Sequence, residues 1–97
     1  TDNLMKSVSE LENLTRLNLS NTNISDKGVT FLNTLKHLEV LNLYGTKITD
    51  ESIAVFKNMP SLKRLYLWQT EVTQVAIEEL KEQNKEIEII GVTKSKS

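Results

Sequence analysis

Three stretches of this sequence share one pattern of leucines, and that pattern decides the fold. They read LTRLNLSNTNI at 14–24, LEVLNLYGTKI at 38–48 and LKRLYLWQTEV at 62–72. The motif Leu-x-x-Leu-x-Leu therefore returns every 24 residues without a gap. A fixed period of this length is typical of repeat proteins, in which neighbouring units stack to build one continuous core. We therefore predict a repeat protein.

The second half of each unit repeats its apolar residues at a spacing of three. These residues are Val29, Leu32 and Leu35, then Ile53, Phe56 and Met59, then Ile77 and Leu80, with Gln83 breaking the pattern. This spacing predicts a helix in each unit. Ser25, Thr49 and Thr73 precede the helices as expected N-cap residues. Gly28, Ser52 and Ala76 share one repeat position, where a small side chain would let helix and strand approach.

The repeat resembles the leucine-rich-repeat family, whose signature is L-x-x-L-x-L-x-x-[N/C]-x-L at a period of about 20 to 29 residues. The resemblance covers nearly the whole chain. It implies an α/β solenoid with short parallel strands on the concave face and helices on the convex face. One departure is that Thr22, Thr46 and Thr70 replace the usual Asn or Cys. We expect their hydroxyls to bond to loop backbone groups instead.

The predicted repeat domain covers residues 1–92. It consists of a partial unit at 1–13, full units at 14–37, 38–61 and 62–85, a degenerate terminal unit at 86–92, and a polar tail at 93–97. The register places Leu11 on Leu35, so the chain opens with the helical half of a unit. We therefore expect further repeats or another domain before Thr1 in a longer protein. The open N-terminal edge is also a predicted site of self-association.

Composition excludes several classes of function. The net charge of −1 provides no basic excess for nucleic acid. No apolar run approaches the roughly 20 residues of a membrane span, so we predict no direct membrane insertion. The absence of cysteine removes disulfides, thiolate metal sites and cysteine nucleophiles. We predict no cofactor.

A second resemblance concerns the stretch LYLWQT at 65–70 and the degenerate unit after it. It is similar to the repeats that close certain bacterial envelope proteins, some with cytochrome c domains upstream. This resemblance implies an extracytoplasmic or envelope location in a bacterium. No haem-attachment motif C-x-x-C-H occurs, so electron transfer is not carried over to this chain.

A candidate binding surface lies on the strands, because side chains alternate along a strand and the leucines face inward. The outward positions place Tyr44, Tyr66 and Trp68 close together on the concave face. Exposed aromatic residues are enriched at binding hot spots and also stack on sugars. The full predicted set is Arg16, Asn18, Asn42, Tyr44, Arg64, Tyr66 and Trp68. Two alternatives stay open: the aromatics pack against an absent domain, and the arginines are merely solvated.

Two other features point away from catalysis. Asp2, Asp26 and Asp50 form a column one repeat apart, which helix capping explains better than a metal, since hard cations need about six oxygens. The only histidine, His37, lies in a turn with no partner nucleophile beside it. We therefore predict no enzyme.

Three functions compete at this stage. The first is a non-catalytic scaffold that binds a protein or a cell-envelope glycan on its concave face. The second is a structural spacer that supports an upstream domain. The third, an enzyme, has the least support, because repeat positions explain nearly every polar residue.

Overall fold

The computed structural model of the protein describes the backbone of residues 2–91 and the side chains of residues 5–91. Thr1, Val92 and the tail predicted at 93–97 lie outside the described residues, as does the side chain of Asp2. No helix among the described residues is long and apolar enough to cross a membrane.

Short helices and strands alternate along the chain. The helices are α1 (Asp2–Val8), α2 (Asp26–Val29), α3 (Ile53–Lys57) and α4 (Gln74–Gln83), and the strands are β1 (Arg16–Asn18), β2 (Val40–Asn42), β3 (Arg64–Tyr66) and β4 (Glu88–Ile90). A 3₁₀ helix at Thr30–Thr34 extends α2, and another at Asp50–Ser52 precedes α3.

The strands form one parallel sheet in the order β1-β2-β3-β4. Their register follows the repeat, since Leu17 pairs with Leu41, Leu41 with Leu65 and Leu65 with Ile89. The helices cover the other side of the sheet, and the leucines of both halves fill the space between. The predicted α/β leucine-rich-repeat fold is confirmed.

In the first two full units, part of the helical half is a 3₁₀ helix rather than an α-helix. A 3₁₀ helix has three residues per turn, so apolar residues spaced by exactly three share one of its faces. Leu32 lies in the first 3₁₀ segment and is fully buried, as are Val29 and Leu35 at either side. In α4 the third member of this column, Gln83, is exposed, and the helix is regular over ten residues.

Threonine hydroxyls close the turn after each strand. The Oγ1 atoms of Thr22, Thr46 and Thr70 donate to the carbonyl oxygens of Leu19, Leu43 and Leu67 at 2.8, 2.8 and 2.9 Å. The expectation that these hydroxyls bond to loop backbone is confirmed. Each bond stays inside its own unit.

Carboxylates link successive units. Asp26 accepts from the backbone N–H and hydroxyl of Thr49, and Asp50 accepts in the same way from Thr73. Sequence reasoning assigned these carboxylates to helix capping and did not predict that they join neighbouring units. Thr49 and Thr73 also cap their helices as predicted, whereas the Ser25 side chain makes no capping bond to α2.

The two edges of the sheet are unlike. At the β1 edge, Leu11 is 54% exposed although its repeat equivalents Leu35 and Met59 are 1% and 2% exposed. No earlier unit covers Leu11 in the described chain, so this repeat position is exposed here. At the β4 edge, Ile87 and Ile89 are buried.

Candidate binding surface on the concave sheet face

An aromatic cleft lies on the concave face at the carboxyl ends of β2 and β3. Its volume is about 550 Å³, and it is lined by Ser20, Asn42, Tyr44, Tyr66, Trp68 and Gln69. The parallel register carries Tyr44 and Trp68 to equivalent places in adjacent units. The Gly45 N–H donates a hydrogen bond to the Trp68 carbonyl oxygen at 2.9 Å. This bond holds the backbone after Tyr44 beside the backbone of Trp68.

Trp68 is held on two sides. Its ring meets the ring of Tyr44 edge to face, with centroids 6.4 Å apart and an interplanar angle of 86°. On another side it lies against the backbone of Gly91, where any Cβ would overlap the indole ring. The side chain is nevertheless 50% exposed. Trp68 is thus a large apolar group that is both fixed and accessible.

Gly91 is essential to this arrangement. It occupies the repeat position of Leu67, and its φ of +86° is one that residues with a side chain rarely adopt. The missing side chain leaves room for the indole ring. Sequence reasoning recognised that the terminal unit was degenerate but missed this role. The signal was a glycine where the repeat requires leucine.

Asn18 and Asn42 have a structural task. The Oδ1 atom of Asn42 accepts from the Tyr44 N–H at 3.0 Å, and Asn18 does the same for Ser20 at 2.9 Å. Such side-chain turns fix the backbone that follows a strand. Asn42 thereby orients the residue that carries an aromatic ring of the cleft. In the third unit Tyr66 occupies the same position.

The predicted arginines lie toward the amino ends of the strands. Arg64 pairs with Glu88, with 3.3 Å between Nε and Oε1, and both side chains are largely exposed. A hydrogen bond with the Tyr66 side chain and the charge of Glu88 raise the pKa of the Arg64 guanidinium. Arg16 is exposed two strands away and shares a shallow groove with Glu39 and Lys63. The charges on this part of the face are therefore of mixed sign.

The structure brings together four of the predicted residues in the cleft, namely Asn42, Tyr44, Tyr66 and Trp68. Asn18, Arg16 and Arg64 lie outside its lining. Ser20 and Gln69 complete the lining, although sequence reasoning did not select them. Gln69 has a positive φ of 62°, as have its repeat equivalents Asn21 and Gly45. In the sequence, the column of Asn21, Gly45 and Gln69 at one turn position was the signal that could have identified Gln69.

Among the described residues, no group of three or more His, Asp or Glu side chains is arranged to hold a metal ion. His37 lies exposed in its turn. Asp26 and Asp50 direct their oxygens to the next unit. The lining of the aromatic cleft contains no charged side chain.

Comparison with known proteins supports the repeat assignment. The family model described as leucine rich repeat matches residues 12–72, more than half of the chain. No curated protein matches the sequence significantly. Repeats of this family are commonly protein-binding scaffolds and are typically not enzymes. The similarity to bacterial envelope proteins stays a prediction. With its 24-residue period, its parallel sheet and this match, the chain belongs to the leucine-rich-repeat family.

Proposed function

We propose that this protein is a non-catalytic scaffold that recognises a protein partner through its concave face, with the aromatic cleft at the centre of the contact. The observation that carries the proposal is Trp68, which is half exposed although Tyr44 and Gly91 hold it in place.

A fixed aromatic ring favours binding because little conformational entropy is lost when a partner covers it. Tryptophan and tyrosine also bury a large area per side chain, and they dominate measured hot spots. Tyr44 and Tyr66 are partly buried beside Trp68, so their bodies pack on the sheet while part of each ring faces the cleft. The three aromatic side chains line the same cleft.

The surroundings match the usual anatomy of an interface, with an apolar centre and a polar rim. Asn42, Ser20 and Gln69 add uncharged polar groups within the cleft. Arg16, Arg64 and Asn18 lie farther along the strands and supply the polar rim. An uncharged centre favours a partner that presents apolar or aromatic side chains there.

Two other functions make different predictions for the same cleft. A cell-envelope glycan would stack a sugar ring on Trp68. A structural spacer would use no ligand, and a longer protein would bury Trp68 internally.

The test uses a displayed peptide library selected on the immobilised 97-residue protein. Each enriched peptide is then titrated while the emission of Trp68, the only tryptophan, is followed. We expect saturable shifts in emission. By calorimetry, Trp68→Ala should weaken binding at least about fivefold, which corresponds to about 1 kcal/mol.

Val75→Ala is the matched control, because Val75 is an exposed apolar residue on α4, outside the cleft. Its affinity should equal that of the native protein, and circular dichroism should show all variants folded. Equal affinity for Trp68→Ala would contradict the proposal. Oligosaccharide binding that is lost with Trp68, without any peptide binding, would replace the protein partner by a glycan. No ligand of either kind would favour the spacer.

A further inference from the structure

Three residues of the aromatic cleft have free hydrogen-bond donors, whereas their acceptor atoms are engaged or absent. The Oδ1 atom of Asn42 already accepts from the Tyr44 N–H at 3.0 Å, so its amide N–H groups are what it offers to a ligand. The indole N–H of Trp68 can only donate. Among the described residues, neither the Asn42 amide nor the Trp68 indole N–H has an acceptor.

Tyr66 supplies the third donor. The Arg64 guanidinium carries only N–H groups, so in its hydrogen bond with Tyr66 the phenolic oxygen accepts and the O–H is left to donate. The lining of the cleft contains no carboxylate. The cleft therefore presents positive partial charges. These are complementary in charge to the carbonyl oxygens of a ligand and unfavourable to its N–H groups.

A proline-rich segment has the complementary chemistry. Proline keeps its backbone carbonyl but has no backbone N–H. In a polyproline II helix, no carbonyl is used in an internal hydrogen bond, so each one is free to accept. Such a segment satisfies the donors of the cleft without bringing an unpaired N–H group into it. Other peptides and sugars carry donors of their own. Proline-rich segments also dock in grooves that are lined by aromatic residues.

The column of Ser20, Tyr44 and Trp68 has a spacing that suits this helix. The three residues occupy one repeat position in successive units. Their backbones stay paired, since the Asn21 N–H donates to the Tyr44 carbonyl oxygen at 2.7 Å and the Gly45 N–H continues the ladder. Paired backbones lie about 4.8 Å apart, so the column is about 9.6 Å long.

One turn of a polyproline II helix takes three residues and rises about 9.3 Å. A segment of this kind that crosses the strands would therefore bring every third residue into register with the column. An extended β-strand repeats its side chains about every 6.6 Å, which matches neither one strand spacing nor two. The spacing thus favours the polyproline II conformation over a bound strand.

We propose that the segment recognised by the aromatic cleft is proline-rich and lies across the strands as a polyproline II helix. Its carbonyl oxygens accept from Asn42, Tyr66 and Trp68, and its rings pack on the aromatic side chains. This inference rests on the proposed function, because it names the kind of protein segment that the concave face recognises.

The test compares two peptides of about nine residues, three turns of the helix. One is oligoproline and the other is oligoalanine, which keeps its N–H groups and is too short to form a stable α-helix. Each carries one lysine at either end for solubility. The emission of Trp68, the only tryptophan, follows each titration of the native protein. We expect saturable binding of oligoproline, at least about tenfold tighter than that of oligoalanine.

Asn42→Asp tests the donors, because it keeps an oxygen for the Tyr44 N–H and replaces the amide N–H groups by a second oxygen. By calorimetry it should weaken the binding of oligoproline at least about tenfold. Asn23→Asp makes the same change of charge at an exposed loop residue outside the cleft and should bind like the native protein. Circular dichroism should show both variants folded.

The peptides enriched from the displayed library give an independent readout, and we expect prolines three positions apart among them. Enriched peptides that lack proline and lose binding with Trp68→Ala would overturn this inference and leave the proposed function standing. Equal affinity of the two peptides, or of Asn42→Asp and the native protein for oligoproline, would also overturn it. If no peptide of any composition bound, the proposed function would fall together with this inference.

Discussion

The Asp26 carboxylate ties one repeat to the next by accepting two hydrogen bonds from Thr49. The Thr49 N–H donates at 2.8 Å and the Thr49 hydroxyl at 2.6 Å, and the Ser52 hydroxyl adds a third bond. Asp50 makes the first two bonds to Thr73, both at 2.7 Å, but Ala76 stands where Ser52 would donate. The carboxylate link between the first two full units therefore has one hydrogen bond more than the link between the second and third units.

Asp26→Ala should lower the free energy of unfolding by about 1–3 kcal/mol, because it leaves three donors without their acceptor. Asp50→Ala should cost less, since it frees two donors at a more exposed site. Lys27→Ala, next to Asp26 and exposed, is the control and should stay within about 0.5 kcal/mol of the native protein. Urea unfolding measures all three. Equal costs for Asp26→Ala and Lys27→Ala would contradict the assigned role.

The same carboxylate should make stability depend on pH in acid. Burial alone would raise the pKa of Asp26, but hydrogen bonds from Ser52 and Thr49 outweigh it and hold the pKa below its ordinary value. A carboxyl with a lowered folded pKa stabilises the protein above its unfolded pKa of about 3.9, and this stabilisation is lost as the pH falls through the folded value.

Asp26→Asn should therefore be less stable than the native protein at pH 7, and the difference should shrink below about pH 4. Urea unfolding between pH 7 and pH 2 measures the difference. Glu51→Gln, an exposed substitution in the neighbouring unit, is the control and should show no comparable trend. A difference that stays constant down to pH 2 would argue against the lowered pKa of Asp26.

At position 69 the native glutamine is less favourable for stability than glycine would be. Its φ is 62°, a left-handed conformation that costs a residue with a side chain about 1–2 kcal/mol and costs glycine little. Gln69→Gly should raise the free energy of unfolding by about 0.5–1 kcal/mol after the entropy of glycine is counted. The control is Glu71→Gly, which lacks a positive φ and should be destabilising. Thermal unfolding checks both, and a loss of stability in Gln69→Gly would refute the prediction.

Gly91→Ala should destabilise the protein by about 1–3 kcal/mol, for two separable reasons. The φ of +86° strains any residue with a side chain, and the new methyl group overlaps the Trp68 ring. In a Trp68→Ala background only the backbone strain is left, so the cost should be smaller. A double-mutant cycle by urea unfolding measures the difference. An equal cost in both backgrounds would mean that Trp68 does not lie against Gly91.

Much of the fold was predictable because its signals are local or strictly periodic. The spacing of Leu14, Leu17 and Leu19 and its return every 24 residues predict the strands, their parallel order and the register of Leu17 with Leu41. The alternation along β2 and β3 also predicts which side chains face the concave surface. The composition of each turn predicts that the Thr22 hydroxyl bonds to its own loop.

Contacts between units were harder to predict, since they depend on how the units stack. The bond from Thr49 to Asp26 joins residues 23 apart rather than the 24 of the repeat, so an alignment of the repeats does not bring them together. The ion pair of Arg64 with Glu88 joins residues one full repeat apart, but sequence reasoning did not identify Glu88 as a partner.

The sequence by itself determined the repeat, the α/β architecture and the set of aromatics on one face, because hydrophobic period and strand alternation act within each unit. Only the tertiary structure decided which of these residues share the aromatic cleft and how Gly91 holds Trp68 half exposed. Those properties depend on contacts between neighbouring units, which the hydrophobic period of a single unit does not specify.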